Sequence, residues 1–153
     1  MPSLDHRIPP PIVGAVTGLA MWLLAPLGPA WAMPPSLGLG LTVLLVAIGL
    51  GFDLMGLLAF RASRTTVNPL SPHKASALVT GGVYRLTRNP MYVGMLCLLL
   101  AWAVHLASWL PLAGPALFVL YITRFQIRPE ERVLRQLFGD AYTQYASRVR
   151  RWI

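Results

Sequence analysis

Two stretches of this 153-residue chain hold most of the side chains equipped for chemistry. The first reads Leu78-Val79-Thr80-Gly81-Gly82-Val83-Tyr84 and continues to Arg88-Asn89-Pro90-Met91-Tyr92-Val93-Gly94. The second reads Arg128-Pro129-Glu130-Glu131, followed by Phe138-Gly139-Asp140 and by Tyr142 and Tyr145. A glycine pair lets backbone come close to a ligand because no Cβ intervenes. Tyr84 and Tyr92 each offer a flat apolar ring with a polar tip. Glu130 or Glu131 can pair with an ammonium, and Arg88 or a backbone amide can meet a carboxylate. Pro90 suits the first turn of a helix, where its missing N–H costs nothing, and the helix N-terminus it opens favours negative charge. Plainer readings stand beside these. Gly81-Gly82 can be only a turn, the tyrosines can be interfacial aromatics, and Arg88 can serve topology alone. Glu130-Glu131 can be ordinary first-turn acids after Pro129.

The elements that would position these residues are mostly apolar. The chain is 56% hydrophobic and 12% charged, against roughly 25% charged in ordinary soluble domains. A bilayer is therefore the expected solvent for most of its surface, in a single domain spanning 1–153. Apolar runs extend from Ile12 to about Met33, from about Leu37 to Phe60, from Pro90 to Leu106 and from Leu110 to Phe125. Each is read as a transmembrane helix, and Gly14-x-x-x-Gly18 suits close helix contact in the first. Asp53 is the one charge in the second run, open to a functional role or to pairing near the helix end. Cys97 is the single cysteine, lies in an apolar run and reads as packing. From Arg128 to Ile153 apolar residues recur at helical spacing among charges, which predicts an amphipathic helix with a natural break at Gly139. The fold class is thus all-α and polytopic, with about four transmembrane helices and a cytoplasmic C-terminal amphipathic helix.

Most of the basic residues behind the net charge of +8 fall between and after the apolar runs. Arg61, Arg64, Lys74, Arg85 and Arg88 crowd the second connection, and the other two connections hold no lysine or arginine. The positive-inside rule then places both termini in the cytoplasm. The charge is read as contact with anionic headgroups, not with nucleic acid, and no metal site is expected.

The motif order resembles the isoprenylcysteine carboxyl methyltransferase family and its phospholipid methyltransferase relatives. Their pattern runs approximately L-V-T-x-G-x-Y, R-H-P-x-Y-x-G, two apolar helices, E-E, then F-G-x-x-Y-x-x-Y, and the match covers about Ser76 to Trp152. The resemblance implies S-adenosyl-L-methionine as cofactor, bound within 76–153 by Ser76, Ala77, Leu78, Val79, Tyr84, Arg88, Asn89, Pro90, Met91, Tyr92 and Glu130. It implies Arg128, with Arg124 second, as the contact to a substrate carboxylate, and assigns a catalytic place to Arg128 and Glu131. Two departures stand out. Asn89 replaces the family's histidine, keeping a hydrogen-bonding side chain without a titratable one. Ser76 and Ala77 replace a common His-Thr, leaving backbone contacts there.

The substrate so implied is hydrophobic, lipid-like or prenylated, and held among membrane lipids in an inner membrane of bacterial type. A carboxylate acceptor is favoured because it is ionised at pH 7 and needs no base, and His73 is the only histidine in the active-site loop. Two rivals remain: an NADPH-dependent membrane sterol or enone reductase, whose proteins carry a similar L-V-T-x-G…R-N-P stretch, and a non-catalytic scaffold of the same fold.

Overall fold

A computed structural model describes residues 8–62 and 77–153. The architecture is all-helical: α1 (Pro10–Leu24), α2 (Pro35–Ala62), α3 (Pro90–Leu106), α4 (Ala113–Ile122) and α5 (Arg128–Arg148), with short 3-10 turns at Ala25–Leu27, Gly82–Arg85 and Leu110–Leu112. Helix is the form an apolar run must take in hydrocarbon, since each backbone N–H and C=O then finds its partner within the segment. Pro10–Leu27, Pro35–Ala62 and the rod Leu110–Arg148 are long and apolar enough to cross a membrane. The 17 residues of α3 rise about 26 Å, within the range that crosses. Large side chains such as Leu39 (67% exposed), Leu120 (66%) and Val16 (61%) point outward, which suits lipid and not water.

Three boundaries differ from the sequence reading. The first run does not stay helical to Met33: α1 stops at Leu24 and a 3-10 turn at Leu27. Pro26 and Pro29 lack an N–H to continue the helix, and Gly28 lies so close to Ser108 and Leu110 that a Cβ there would sit 2.7 and 2.6 Å from them. The chain instead crosses to the α3–α4 connection. There Trp31 N donates to Ala107 O (3.1 Å) and Trp109 N to Pro29 O (3.1 Å), around an isolated bridge between Ala30 and Ser108.

The fourth span and the tail are also not separate. α4 runs into α5 through a π-helical turn at Thr123–Ile127, so the rod is continuous past the apolar part. Gly139 does break its regularity, with φ 48° and ψ −122°. Finally, the tail helix ends at Arg148 instead of Ile153, and the last residues turn back to lie beside Thr87–Asn89.

A close helix crossing joins α2 and α3, at a different glycine pair from Gly14 and Gly18. A Cβ on Gly49 would stand 2.9 Å from Gly94 O, and one on Gly94 would stand 2.8 Å from Gly49 O and collide with the Asp53 carboxylate. Only glycine permits that approach. Gly14 meets no neighbour, and Gly18 contributes its carbonyl to the Trp102 indole N–H at 3.0 Å. Asp53 Oδ1, in this seam, is buried with no hydrogen-bond partner.

Two apolar clusters result. Met21, Tyr92, Leu99, Ala103, Phe118, Ile122 and Ile127 join α1, α3 and the rod. Val79, Val83, Tyr84, Tyr142 and Tyr145 pin the 3-10 turn against α5. The second cluster, at the end of the bundle where α3 begins, carries the site.

Candidate active site

The local order at this end starts with Asn89, the residue before α3. Pro90 occupies the first helical turn, as its fixed φ favours. Asn89 does not cap the helix with its side chain. Its Nδ2 donates instead to Arg151 O at 2.8 Å, and Thr87 Oγ1 donates to the same carbonyl at 3.2 Å. Arg88 N donates to Arg150 O at 3.0 Å. The returning C-terminal segment is thereby tied to the motif loop, and the tie brings Arg151 to the acidic pair.

The two acids of that pair meet different surroundings. Glu131 is 5% exposed and is held from both sides. Arg151 binds it in bidentate fashion, Nε to Oε1 at 2.9 Å and Nη2 to Oε2 at 2.7 Å. Arg88 Nη2 approaches Oε1 at 3.0 Å. Arg88 Nη1 donates to the Tyr142 hydroxyl at 3.3 Å, while Arg88 Nε is buried without a partner. Burial, then the nearby Glu131 charge, pushes the Tyr142 phenol up to about 12. The hydrogen bonds from Arg151 to Glu131 raise the guanidinium above its ordinary value, which keeps this clamp charged.

Glu130 is half-buried, and no described arginine or lysine forms a salt bridge with it. The Tyr92 phenol is the polar side chain that favours its ionised form. Burial first, and the adjacent Glu131 charge second, raise the Glu130 carboxyl to about 7, and Tyr92 only partly opposes them. Tyr84 is close enough to feel Glu130: burial and then that carboxylate push its phenol well above the ordinary range. Tyr84 is fixed by an edge-on contact with Phe60 (5.5 Å between centroids, 86°) and by Tyr145, whose hydroxyl donates to Tyr84 O at 2.7 Å. Among the described residues, two tyrosines thus flank a carboxyl with no ion-pair partner, and beside it a second carboxyl has two.

Of the residues singled out in the sequence, the structure gathers Tyr84, Arg88, Asn89, Pro90, Tyr92, Glu130 and Glu131 at one end of the bundle. Val79 is buried and Leu78 half-buried in the Tyr84 cluster, and Ala77 is half-buried at the edge of the described residues. Ser76 and His73 lie outside the described residues. Met91 turns toward α2, close against Gly56, and Arg128 is exposed at the start of α5. Sequence reasoning missed Thr87, Phe60 and Arg151. Arg151 gave no periodic signal, because it acts only after the chain has left the helix.

The fold and this cluster define a polytopic, all-helical membrane protein with an acid and tyrosine site at one end. The phospholipid methyltransferase family matches residues 37–141, and the chain belongs to that family. An uncharacterized protein of Haemophilus influenzae is 44% identical over 63 residues, which are 41% of this chain and all of that one. A probable protein-S-isoprenylcysteine O-methyltransferase of Oryza sativa subsp. indica is 46% identical over 77 residues, 47% of this chain and 38% of that protein. The protein-S-isoprenylcysteine O-methyltransferase of Schizosaccharomyces pombe is 35% identical over 80 residues, 50% of this chain and 33% of its own length. The match thus spans about a third of each of these two methyltransferases. No solved structure matches.

Proposed function

We propose that this protein transfers a methyl group from S-adenosyl-L-methionine to a lipid-like or prenylated acceptor at the cytoplasmic face, with a carboxylate as the favoured nucleophile. The observation that carries the reading is the contrast within the acidic pair: among the described residues Glu131 pairs with two arginines, and Glu130, raised to about 7, pairs with none. A carboxyl in that state is suited to receive a ligand ammonium, which would bring it back to the ionised form. The Arg88 guanidinium, held by Glu131 and Tyr142, would supply the positive charge for a ligand carboxylate. The residues present therefore fit the amino-acid end of this cofactor, and the Tyr84 and Tyr92 rings suit its flat base. When bound, the cofactor supplies an electrophilic methyl group on a sulfonium.

The chain's own contribution is placement. Glu131 acts as a positioning residue: it holds Arg88 and, through Arg151, the loop from Thr87 to Asn89. Tyr145 fixes the Tyr84 backbone, so the ring flanking Glu130 keeps its orientation. Arg128, exposed beside the site, is within reach of an acceptor carboxylate held at the interface. A carboxylate acceptor needs no proton removed, so the work left is orientation and exclusion of water. Arg88 and Arg151 are spent on Glu131, which disfavours a cofactor bearing several phosphates such as NADPH. The connections at the other end hold no lysine or arginine, which supports placing this end in the cytoplasm. Incubating the purified chain and a native lipid extract with methyl-labelled cofactor tests the proposal. A base-labile labelled lipid, as a methyl ester would be, is expected. A hydride-donor requirement with no label incorporated would overturn it.

A further inference from the structure

Residues 149–152 leave α5 and cross three parts of the chain in four residues. Val149 ends the helix in an extended conformation, φ −118° and ψ 131°. Arg150 O then accepts the Arg88 N–H at 3.0 Å, and Arg151 O accepts from Asn89 Nδ2 and Thr87 Oγ1. The segment therefore lies across the start of α3, while the Arg151 side chain turns to Glu131 in the first turn of α5. Trp152 completes the crossing at the π turn. Its indole N–H donates to Thr123 Oγ1 at 3.1 Å, and its ring packs on the cluster that contains Phe118 and Ile122. A threonine in a helix often turns its hydroxyl back on its own backbone, as Thr17 does to Val13 O and Thr42 to Gly38 O. The Thr123 hydroxyl serves a residue from outside its helix, at a kind of turn that recurs in functional positions.

With this segment in place the rings proposed to meet the donor's flat base are covered: Tyr84 is 6% exposed and Tyr92 7%. A ligand reaches them only if something moves. The helices are long and packed on one another. Residues 149–152 have no regular structure of their own, Arg150 is exposed, and the Arg151 side chain is 33% exposed. Segments of that kind open at lower free energy than the elements they lie on. We infer that residues 149–152 are a latch on the methyl-donor site, anchored by Trp152 on Thr123, which opens to pass the donor and tightens once it is bound. The tightening follows from the shared carboxylate. Glu131 divides its charge between Arg88 and Arg151, and a ligand carboxylate that draws on Arg88 leaves Arg151 as the main counter-ion of a buried acid. Trp152 is thus a positioning residue that acts through Arg151. The inference rests on the reading of Glu130 and Arg88 as the donor's contacts.

The test uses the full chain in detergent micelles with S-adenosyl-L-homocysteine, which keeps the donor's amino-acid end and base and lacks the methyl group. Hydrogen–deuterium exchange at the Arg88 amide reads the latch, since that N–H donates to Arg150 O. Saturating ligand should slow this exchange in wild type by about tenfold, an ordinary coupling between two sites. Trp152→Phe keeps the ring and removes the N–H, and Thr123→Val removes the acceptor from the other side, so either decides the matter if the other does not fold. Each should speed Arg88 exchange about fivefold without ligand, as for loss of one neutral hydrogen bond. Release of tritiated ligand on dilution should quicken by the same factor. Affinity should hold, because entry quickens with release, whereas a merely structural defect would weaken it. Unchanged Arg88 exchange in both variants would overturn the anchor. Faster exchange with unchanged release would overturn the latch, as would lowered affinity without faster release, or a wild type whose Arg88 amide ignores bound ligand. A wild type that binds no ligand at all would overturn the donor reading and this inference with it.

Discussion

Glu131→Gln is the sharpest perturbation of the clamp that joins the C-terminal segment to the motif loop. The substitution preserves shape and removes the charge from three contacts, at 2.7, 2.9 and 3.0 Å. Arg151 can recover solvation because its side chain is 33% exposed, but that of Arg88 is 11% exposed and cannot. The dominant cost is therefore one buried, uncompensated guanidinium, which falls in the range of about 3–5 kcal/mol measured for breaking a buried pair from one side. At roughly 2–4 °C per kcal/mol for a chain of this size, the midpoint of thermal unfolding in detergent should drop by about 10 °C. Arg151→Gln should cost less, because Arg88 still neutralises Glu131. Differential scanning fluorimetry on the three proteins gives the ordering. A Glu131→Gln variant that melts with wild type, or an Arg151→Gln variant that melts below Glu131→Gln, would refute the clamp.

The pH dependence follows from Glu130, raised to about 7. Below that pH it carries a proton and cannot pair with an ammonium, so cofactor affinity should fall about tenfold per pH unit below 7 and level off above it; a flat profile from pH 5 to 8 would exclude the role. Without cofactor the sign for stability is opposite. Between its ordinary value of 4.5 and about 7 the folded chain holds a proton the unfolded chain has lost. Stability should therefore fall as pH rises through that window, by about 3 kcal/mol at most, and Glu130→Gln should remove the slope as followed by melting temperature. Asn89→His retains a donor for the Arg151 carbonyl and should bind cofactor like wild type, whereas Asn89→Leu leaves that carbonyl unpaired, costs about 1–3 kcal/mol and should lower both the melting temperature and the affinity. Cysteines placed from His105 to Trp109 should react only with reagent added outside the cytoplasm; labelling from the cytoplasmic side alone would reverse the topology.

Much of the frame was legible because a bilayer leaves the chain few choices. The apolar run from Leu37 to Phe60 could only be a helix, and Pro90 marked the start of α3 by its place before another such run. The positive φ of Gly139 fits the break read there. What failed was weight given to apolarity over punctuation: Pro26, Gly28 and Pro29 end α1, yet the hydrophobic run continues past them. The π turn at Thr123–Ile127 has no sequence mark, since it depends on how α4 packs before α5 begins. The site was legible as residue types, not as roles. Nothing local distinguishes Glu130 from Glu131. Their difference is made by Arg88 and Arg151, which chain reversal brings to one carboxylate and not the other. Asn89, read as a departure from the family pattern, holds the Arg151 carbonyl that positions the same arginine.

Calorimetric titration of wild type and Glu130→Gln with S-adenosyl-L-methionine at pH 8 tests whether Glu130 receives the ligand ammonium. One hydrogen-bonded charge pair contributes roughly 1.5–3 kcal/mol, so the variant should bind about ten- to a hundredfold more weakly while melting no lower than wild type. Equal affinity in the two proteins, with both folded, would contradict the account.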